Sequence, residues 1–293
     1  MQELLWAISF LTIIPLGRGG FQTRPYDLPP ERMGRVMAYY PAVGLIIGLC
    51  LVLAYHLLDA RFPSALVDAF IILFYVFLTG ALHMDGLADS ADGLLGGWDR
   101  QERLEIMKDS RIGSLGAIAI VSDLGLRFLA IQNLPDFLPE VSFWSPLTMS
   151  MDISSHTVAG LHKEALKSGI VLLAMAVVGR WAQVLVASIS PYAREGGGAT
   201  PNKGGRATPA TGTASGLVTY TRPVHCLAAS ILPLLLLSML YGARGVLVFA
   251  TVCGTILLLT AYFKNRIGGV TGDTLGMTNE VAELMFLLLF FVI

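Results

Sequence analysis

The sequence predicts an all-α fold: a single polytopic membrane domain, residues 1–293, built as a bundle of six to seven transmembrane helices with an N-terminal interfacial or re-entrant segment. Three observations predict it. Of the 293 residues, 54% are hydrophobic and only 14% charged, where a soluble domain carries about 25% charge. The apolar residues gather in runs that approach the roughly 20 residues needed to cross a bilayer. Lysine and arginine are divided unequally between the loops, as they are in proteins oriented in a membrane. The net charge of −1 offers no basic surface for nucleic acid and no acidic tail. Membrane lipid, or self-association into a homo-oligomer, is left to cover the outer apolar surface. Cys50, Cys226 and Cys253 lie singly in apolar runs without a CxxC spacing, and so predict buried small side chains rather than zinc or disulfides.

The spans are expected in order at 36–58, 64–84, 113–132, 168–190, 224–242, 245–263 and 280–293. The last run is short and crosses only if its helix begins before Glu280. The run Leu4–Leu16 is too short to span, contains Pro15 and has no basic residue before Arg18. It is therefore neither a signal peptide nor a span. Fourteen Lys and Arg side chains fall in 18–35, 100–111, 194–222 and 264–266, against Arg61, Lys163, Lys167 and Arg244 on the other face. The positive-inside rule puts the fourteen in the cytoplasm, which predicts a multi-pass protein of the cytoplasmic (inner) membrane. Every polar motif below falls on that face. The stretch 133–167, with Phe137, Phe143 and Trp144, reads as an external interfacial segment, and the Gly/Thr/Pro-rich loop 194–216 as a solvated tether or a lid.

Chemistry concentrates first in HMDGLADSADGLLGG, His83 to Gly97, directly after the second run. Asp85, Asp89 and Asp92 are spaced i, i+4, i+7, within about 60° of one helix face. Like charges so placed repel unless a cation lies between them. Oxygen-only ligands favour a hard divalent ion, Mg²⁺ or Mn²⁺. Gly86, Ala88, Ser90, Ala91 and Gly93 would let another helix or a phosphate approach the backbone. His83 reads as a hydrogen-bonding side chain rather than a ligand.

A second polar block, GGVTGDTLGMTNEVAEL from Gly268, holds Asp273, Asn279, Glu280 and Glu283 ahead of and inside the last run. Its Asp273 and Glu280 offer a second carboxylate wall for the metal. Between the two blocks lies MKDSRIGSLG, with Lys108, Asp109, Ser110 and Arg111. Its cations suit either a diphosphate or an ordinary topological anchor. A charge inside a span costs roughly 2.5–3.5 kcal/mol, so each needs a reason. Asp123 and Arg127, four residues apart, are expected to pair. Arg180 has no local partner and must meet a carboxylate or a substrate phosphate in the interior.

Taken together, FLTIIPLG, HMDGLADSADGLLGG, MKDSRIGSLG, the GRW at Gly179–Trp181, SPYAREGG from Ser190 and GGVTGDTLGMTNE resemble the motifs of the cobalamin (5′-phosphate) synthase family, the adenosylcobinamide-GDP ribazoletransferases, in the family's order. The resemblance implies a Mg²⁺-dependent membrane phosphotransferase that joins adenosylcobinamide-GDP to α-ribazole or its 5′-phosphate and releases GMP. It implies metal binding by Asp85, Asp89 and Asp92, with Asp89 or Asp92 as the base, and diphosphate binding by Lys108 and Arg111. Asp273 and Glu280 would complete the metal site, and Asp109, Ser110, Arg180 and Asn279 the substrate site. Two other classes use aspartate-rich membrane helices. Transferases for CDP-alcohols or prenyl diphosphates carry DGxxAR-type or DDxxD-type patterns, and Ser90 after Ala88–Asp89 breaks the first. A cation transporter would continue its ionisable groups to the outer face.

Overall fold

The structure is a computed structural model describing residues 2–14, 29–135, 156–194 and 213–293, with the side chains of 30 and 156–166 left out. The helices are α1 (Gln2–Leu11), α2 (Pro30–Ala38), α3 (Tyr40–Asp59), α4 (Ser64–Leu78), α5 (Leu82–Gly96), α6 (Arg100–Ile106), α7 (Ser114–Gln132), α8 (His156–Ile189), α9 (Thr213–Tyr220), α10 (Pro223–Ile267) and α11 (Gly272–Leu289). Phe137, Phe143 and Trp144, and the segment 195–212 of the Gly-rich loop, lie outside the described residues.

Among the described residues, four segments are long and apolar enough to cross a membrane: Glu31–Asp59, Ser114–Gln132, Lys167–Ile189 and Pro223–Ile267. The last holds two of the expected spans, because α10 reverses at Gly242 (φ 57°, ψ −135°). Residues eight apart in an unbroken helix are about 12 Å apart, yet a Cβ on Gly245 would lie 2.0 Å from the Leu237 carbonyl oxygen. Both legs meet Trp181, whose indole N–H donates to Ser230 Oγ (2.8 Å) while its ring lies 4.4 Å from that of Phe249. The helix of the expected last run, α11, begins at Gly272, eight residues before Glu280, but is not among these four segments. α1 is too short to cross, and the chain after it is tied to the end of α4 by the Ile13 N–H, which donates to Leu78 O.

The expected span 64–84 needs correction. The helix stops at Leu78 and resumes at Leu82 with a bend of 87°. Its end is a Schellman motif: Gly80 adopts φ 61°, its N–H donates to Phe77 O, and the Ala81 N–H donates to Val76 O. Asp85 thus stands in the first turn of a separate helix, α5, rather than at the end of a span. At 15 residues, about 22 Å long, α5 does not itself cross.

Small residues set the close crossings, as expected between membrane helices. A Cβ on Gly44 would meet Ala176 O at 2.4 Å and one on Gly48 would meet Leu173 Cα at 2.5 Å, which locks α3 antiparallel to α8. This register sets Tyr40, one turn before Gly44, opposite Arg180. α8 is apolar on all sides and correspondingly almost wholly buried from Gly169 to Ala187.

Five charged groups inside this bundle form one network. Arg127 on α7 donates to Asp123 (2.6 Å), Glu280 (2.5 Å) and Glu283 (2.7 Å). Arg180 on α8 donates through one nitrogen to Tyr75 Oη (2.7 Å), Asn279 Oδ1 (2.7 Å) and Glu283 Oε1 (2.6 Å). The expected Asp123–Arg127 pair exists, and Arg180 meets a carboxylate. All five charged groups are buried, and they tie α4, α7 and α8 to α11.

At the end bearing the polar motifs, arginines cap carbonyls left over at helix ends. Arg100 donates to Ile267 O (2.8 Å) and Ala193 O (2.7 Å), Arg103 to Arg266 O (3.2 Å), and Arg266 to Leu94 O (2.9 Å). A short parallel bridge joins Tyr192 to Val270. At the opposite end Asp68 accepts from Tyr55 (2.7 Å) and from Gln132.

Two outcomes follow from this arrangement. With Cys50, Cys226 and Cys253 replaced, cysteines at the exposed positions Trp98 and Ile112 should label from the cytoplasmic side, and those at Phe62 and Ala243 from outside. Labelling of Trp98 and Ala243 from one side would break the single-face topology. Arg127→Met leaves three buried carboxylates short of a partner and should destabilise the bundle by about 3–5 kcal/mol, read as a fall in the thermal midpoint of the purified protein in detergent. An unchanged midpoint would remove the network from the fold's supports.

Candidate active site

The acidic helix α5 lies across α11, backbone against backbone. A Cβ on Gly276 would come within 3.1 Å of both Gly86 Cα and His83 O, and one on Gly86 within 2.7 Å of Asp273 O. No other residue type fits at this crossing without separating the helices. Its consequence is chemical, because it sets Asp273, in the first turn of α11, beside the aspartates of α5. Thr271 caps α11 by accepting the Thr274 N–H, which fixes where that first turn begins.

Asp85 is exposed, and Asp89 and Asp92 are half-buried. The Asp89 carboxyl is pushed up to about 6, first by burial and then by the like charges of Asp85, Asp273 and Asp92. Like charges gathered around Asp89 are a set that a divalent cation would stabilise, and their oxygens are the hard ligands that Mg²⁺ prefers. Among the described residues, no three His, Cys, Asp or Glu side chains converge into a preformed metal cage.

The expected site residues separate into three groups. Asp85, Asp89 and Asp273 share one acidic surface. Asp92 is engaged elsewhere, since its two oxygens accept the N–H groups of Gly113 (2.7 Å) and Gly116 (2.9 Å). Gly113 is the N-cap residue of α7 and has no side chain to cap with, so a carboxylate from α5 caps the helix instead and meets its positive end. The IGSLG spacing follows, since a Cβ on Gly113 would lie 2.3 Å from one Asp92 oxygen and one on Gly116 2.4 Å from the other.

Glu280, Asn279 and Arg180 form the second group, all buried in the network beneath the acidic surface. Glu280 is held by Arg127 and by the Asn279 amide (3.1 Å). Asn279 Oδ1 accepts from Arg180 and from Gln183 (3.1 Å). His83, 3% exposed, faces the Gln183 amide at 3.1 Å, the hydrogen-bonding contact expected of it. The third group is the exposed loop. Arg111 is turned onto Asp109 (2.6 Å) with 87% of its side chain exposed, and its hydrogen bonds hold the Asp109 carboxyl down at about 2. Lys108 and Ser110 are likewise exposed. The structure thus brings no cation of this loop onto the aspartates.

Among the described residues the cation at the acidic surface is Arg194, which the sequence reading held as a loop charge and within the SPYAREGG motif, without a role at the site. Its guanidinium donates to Asp273 (2.5 Å) and to Met107 O (3.4 Å), and its charge also bears on Asp89. The backbone just before it is pinned, with the Ala193 N–H donating to Val270 O (2.8 Å) and the Val270 N–H to Pro191 O (2.9 Å). The available signal was SPYAREGG itself, an arginine inside a motif where a tether alone needs none.

A family model described as cobalamin-5-phosphate synthase matches residues 3–291. A protein of Pseudomonas entomophila named adenosylcobinamide-GDP ribazoletransferase is 35% identical over 283 residues, 96% of this chain and 95% of the relative. Proteins of the same name from Sinorhizobium medicae and Syntrophobacter fumaroxidans are 34% and 32% identical, each over 96% of this chain and over 92% and 94% of their own lengths. No solved structure matches. With the match running from the first helix to the last, through both acidic blocks, the chain belongs to the cobalamin-5-phosphate synthase family.

Proposed function

We propose that this chain is an adenosylcobinamide-GDP ribazoletransferase, acting at the cytoplasmic face of the inner membrane. Family membership over residues 3–291, joined to an acidic surface at the arginine-rich end of a membrane bundle, carries the reading. The reaction is an in-line phosphoryl transfer. The hydroxyl of α-ribazole, or of its 5′-phosphate, attacks the phosphorus next to cobinamide. A new P–O bond to the ribose forms, the bond between the two phosphorus groups breaks, and GMP leaves.

Asp89 would take the hydroxyl proton. It is half-buried, and its carboxyl is raised to about 6, close to the range in which a base both accepts a proton and is ionised at neutral pH. Asp92, occupied with α7, holds the acidic helix in register instead. Mg²⁺ would be held by Asp85, Asp89 and Asp273, and when bound would offset the charge of the diphosphate and of the departing GMP. The bent α4–α5 junction supports a site at the membrane surface, where a water-soluble nucleotide and a large corrinoid could meet.

The test is GMP release by the purified protein in lipid. Asp89→Asn should lower turnover by about 10²-fold or more, as loss of a preorganised charged group does, while the protein still inserts and purifies. Near-normal turnover in that variant would make the acidic helix structural, and a product other than GMP would overturn the assignment. A metal needs Asp89 ionised, so Mn²⁺ binding to the substrate-free protein should weaken as pH falls through about 6. Binding that is flat from pH 5 to 7 would exclude Asp89 as a ligand.

A further inference from the structure

Arg194 lies within the acidic set, on the one aspartate that α11 contributes. Among the described residues its Nη2 donates to Asp273 Oδ2 at 2.5 Å and to Met107 O at 3.4 Å and the side chain also meets Tyr192, while its Nε is buried without an acceptor. Arginine offers five donors in a planar fork suited to two phosphate oxygens at once, and here that fork is only partly used. The side chain is also not sealed in: Arg194 is 26% exposed and Asp273 21%, so the pair faces the solvent from which substrate arrives. The backbone before Arg194 is fixed to the start of α11 by the Tyr192–Val270 bridge and by Arg100 on Ala193 O. A swing of the side chain therefore requires no movement of its anchor.

We propose that Arg194 is the diphosphate-binding cation of this site and that, in the substrate-free protein, it occupies Asp273 in the place of a divalent ion. When the GDP-linked substrate enters with its metal, the two pairs exchange partners: the guanidinium moves from Asp273 to the diphosphate, and Asp273 moves from the guanidinium to the metal. No bond is made or broken in this step, and the total charge is unchanged. The exchange keeps Asp273 paired throughout, which matters for a carboxylate standing among Asp85, Asp89 and Asp92. It also couples the two ligands, since each removes one half of the ion pair that obstructs the other, and such coupling is reciprocal. The assignment of the diphosphate rests on the transferase reading; the competition between Arg194 and a cation does not.

The experiment compares wild type, Arg194→Gln, Arg194→Lys and the double variant Arg194→Gln/Asp273→Asn, each purified in lipid nanodiscs. Mn²⁺ binding without substrate is followed by electron paramagnetic resonance, and GMP release is followed with each substrate varied in turn. Removing the competing guanidinium should tighten Mn²⁺ binding on the order of tenfold, a usual size for such coupling. The same variant should need on the order of tenfold more GDP-linked substrate for half-maximal rate, with little change for the ribazole. The double variant should lose the gain in Mn²⁺ affinity. Lysine, keeping the charge but not the fork, should shift both quantities in the same directions by less, and it decides the matter if the glutamine variant does not fold. Mn²⁺ affinity that is unchanged or weaker without Arg194, or an equal rise in requirement for both substrates, would overturn the proposal. Failure of the wild type to release GMP would instead sink the transferase reading, leaving the ion exchange to be judged by the Mn²⁺ titrations alone.

Discussion

The structure depends on how two guanidinium charges are paired in a place that water does not reach. Arg127 and Arg180 are 2% and 0% exposed, in the middle of the bundle, where an unpaired charge is among the most expensive features a fold can hold. Each is met by carboxylates or neutral oxygens from several helices, and Glu283 serves both, one oxygen to each. The network fixes the rotation of α11 about its own axis. Turned away, Glu280 and Glu283 would face lipid, leaving Arg127 with Asp123 and Arg180 with the neutral Tyr75 hydroxyl.

That rotation is what places the chemistry. Asp273 is seven residues before Glu280, two turns along the same helix, so the network that orients Glu280 also orients Asp273. On the other side, α5 is fixed by three unrelated contacts: the Schellman end of α4, the Gly86–Gly276 crossing, and the capping of α7 by Asp92. Each allows only a narrow geometry. The acidic surface is thus held by groups beneath and beside it, leaving Asp85 and Asp89 free of structural duty. Such separation is what a site working by electrostatic preorganisation requires.

The arginines at this end show that topology and structure need not be alternative explanations for a positive charge. Arg100, Arg103 and Arg266 count toward the charge bias that orients a membrane protein, and the same side chains close the carbonyl ends of α5 and α10 and hold the 190–193 segment in place. Arg111 also counts toward that bias but closes no helix end and, among the described residues, pairs with its neighbour Asp109. Arg194 stands apart from both, because the acceptor it meets belongs to the acidic surface.

The sequence by itself determined the class of the fold, the polar blocks and the family motifs, because these are written in local properties. Hydropathy over about 20 residues reports a span, i, i+4, i+7 spacing reports a shared face, and the Asp123–Arg127 pair lies within one helix. It also contained the Gly80 stop, although an apolar run continuing through Ala81 and Leu82 conceals a bend made by backbone torsions. Only the tertiary structure decided what each carboxylate does. Asp85, Asp89 and Asp92 are alike in chemistry and share one face, yet Asp92 is claimed by backbone N–H groups of a helix that begins 22 residues later, at Ser114. Glu280 and Asp273 share a face of α11, yet one is claimed by Arg127 and the other by Arg194. The difference lies in which donor stands within about 3 Å, and donors from segments distant in sequence become neighbours only when the helices pack.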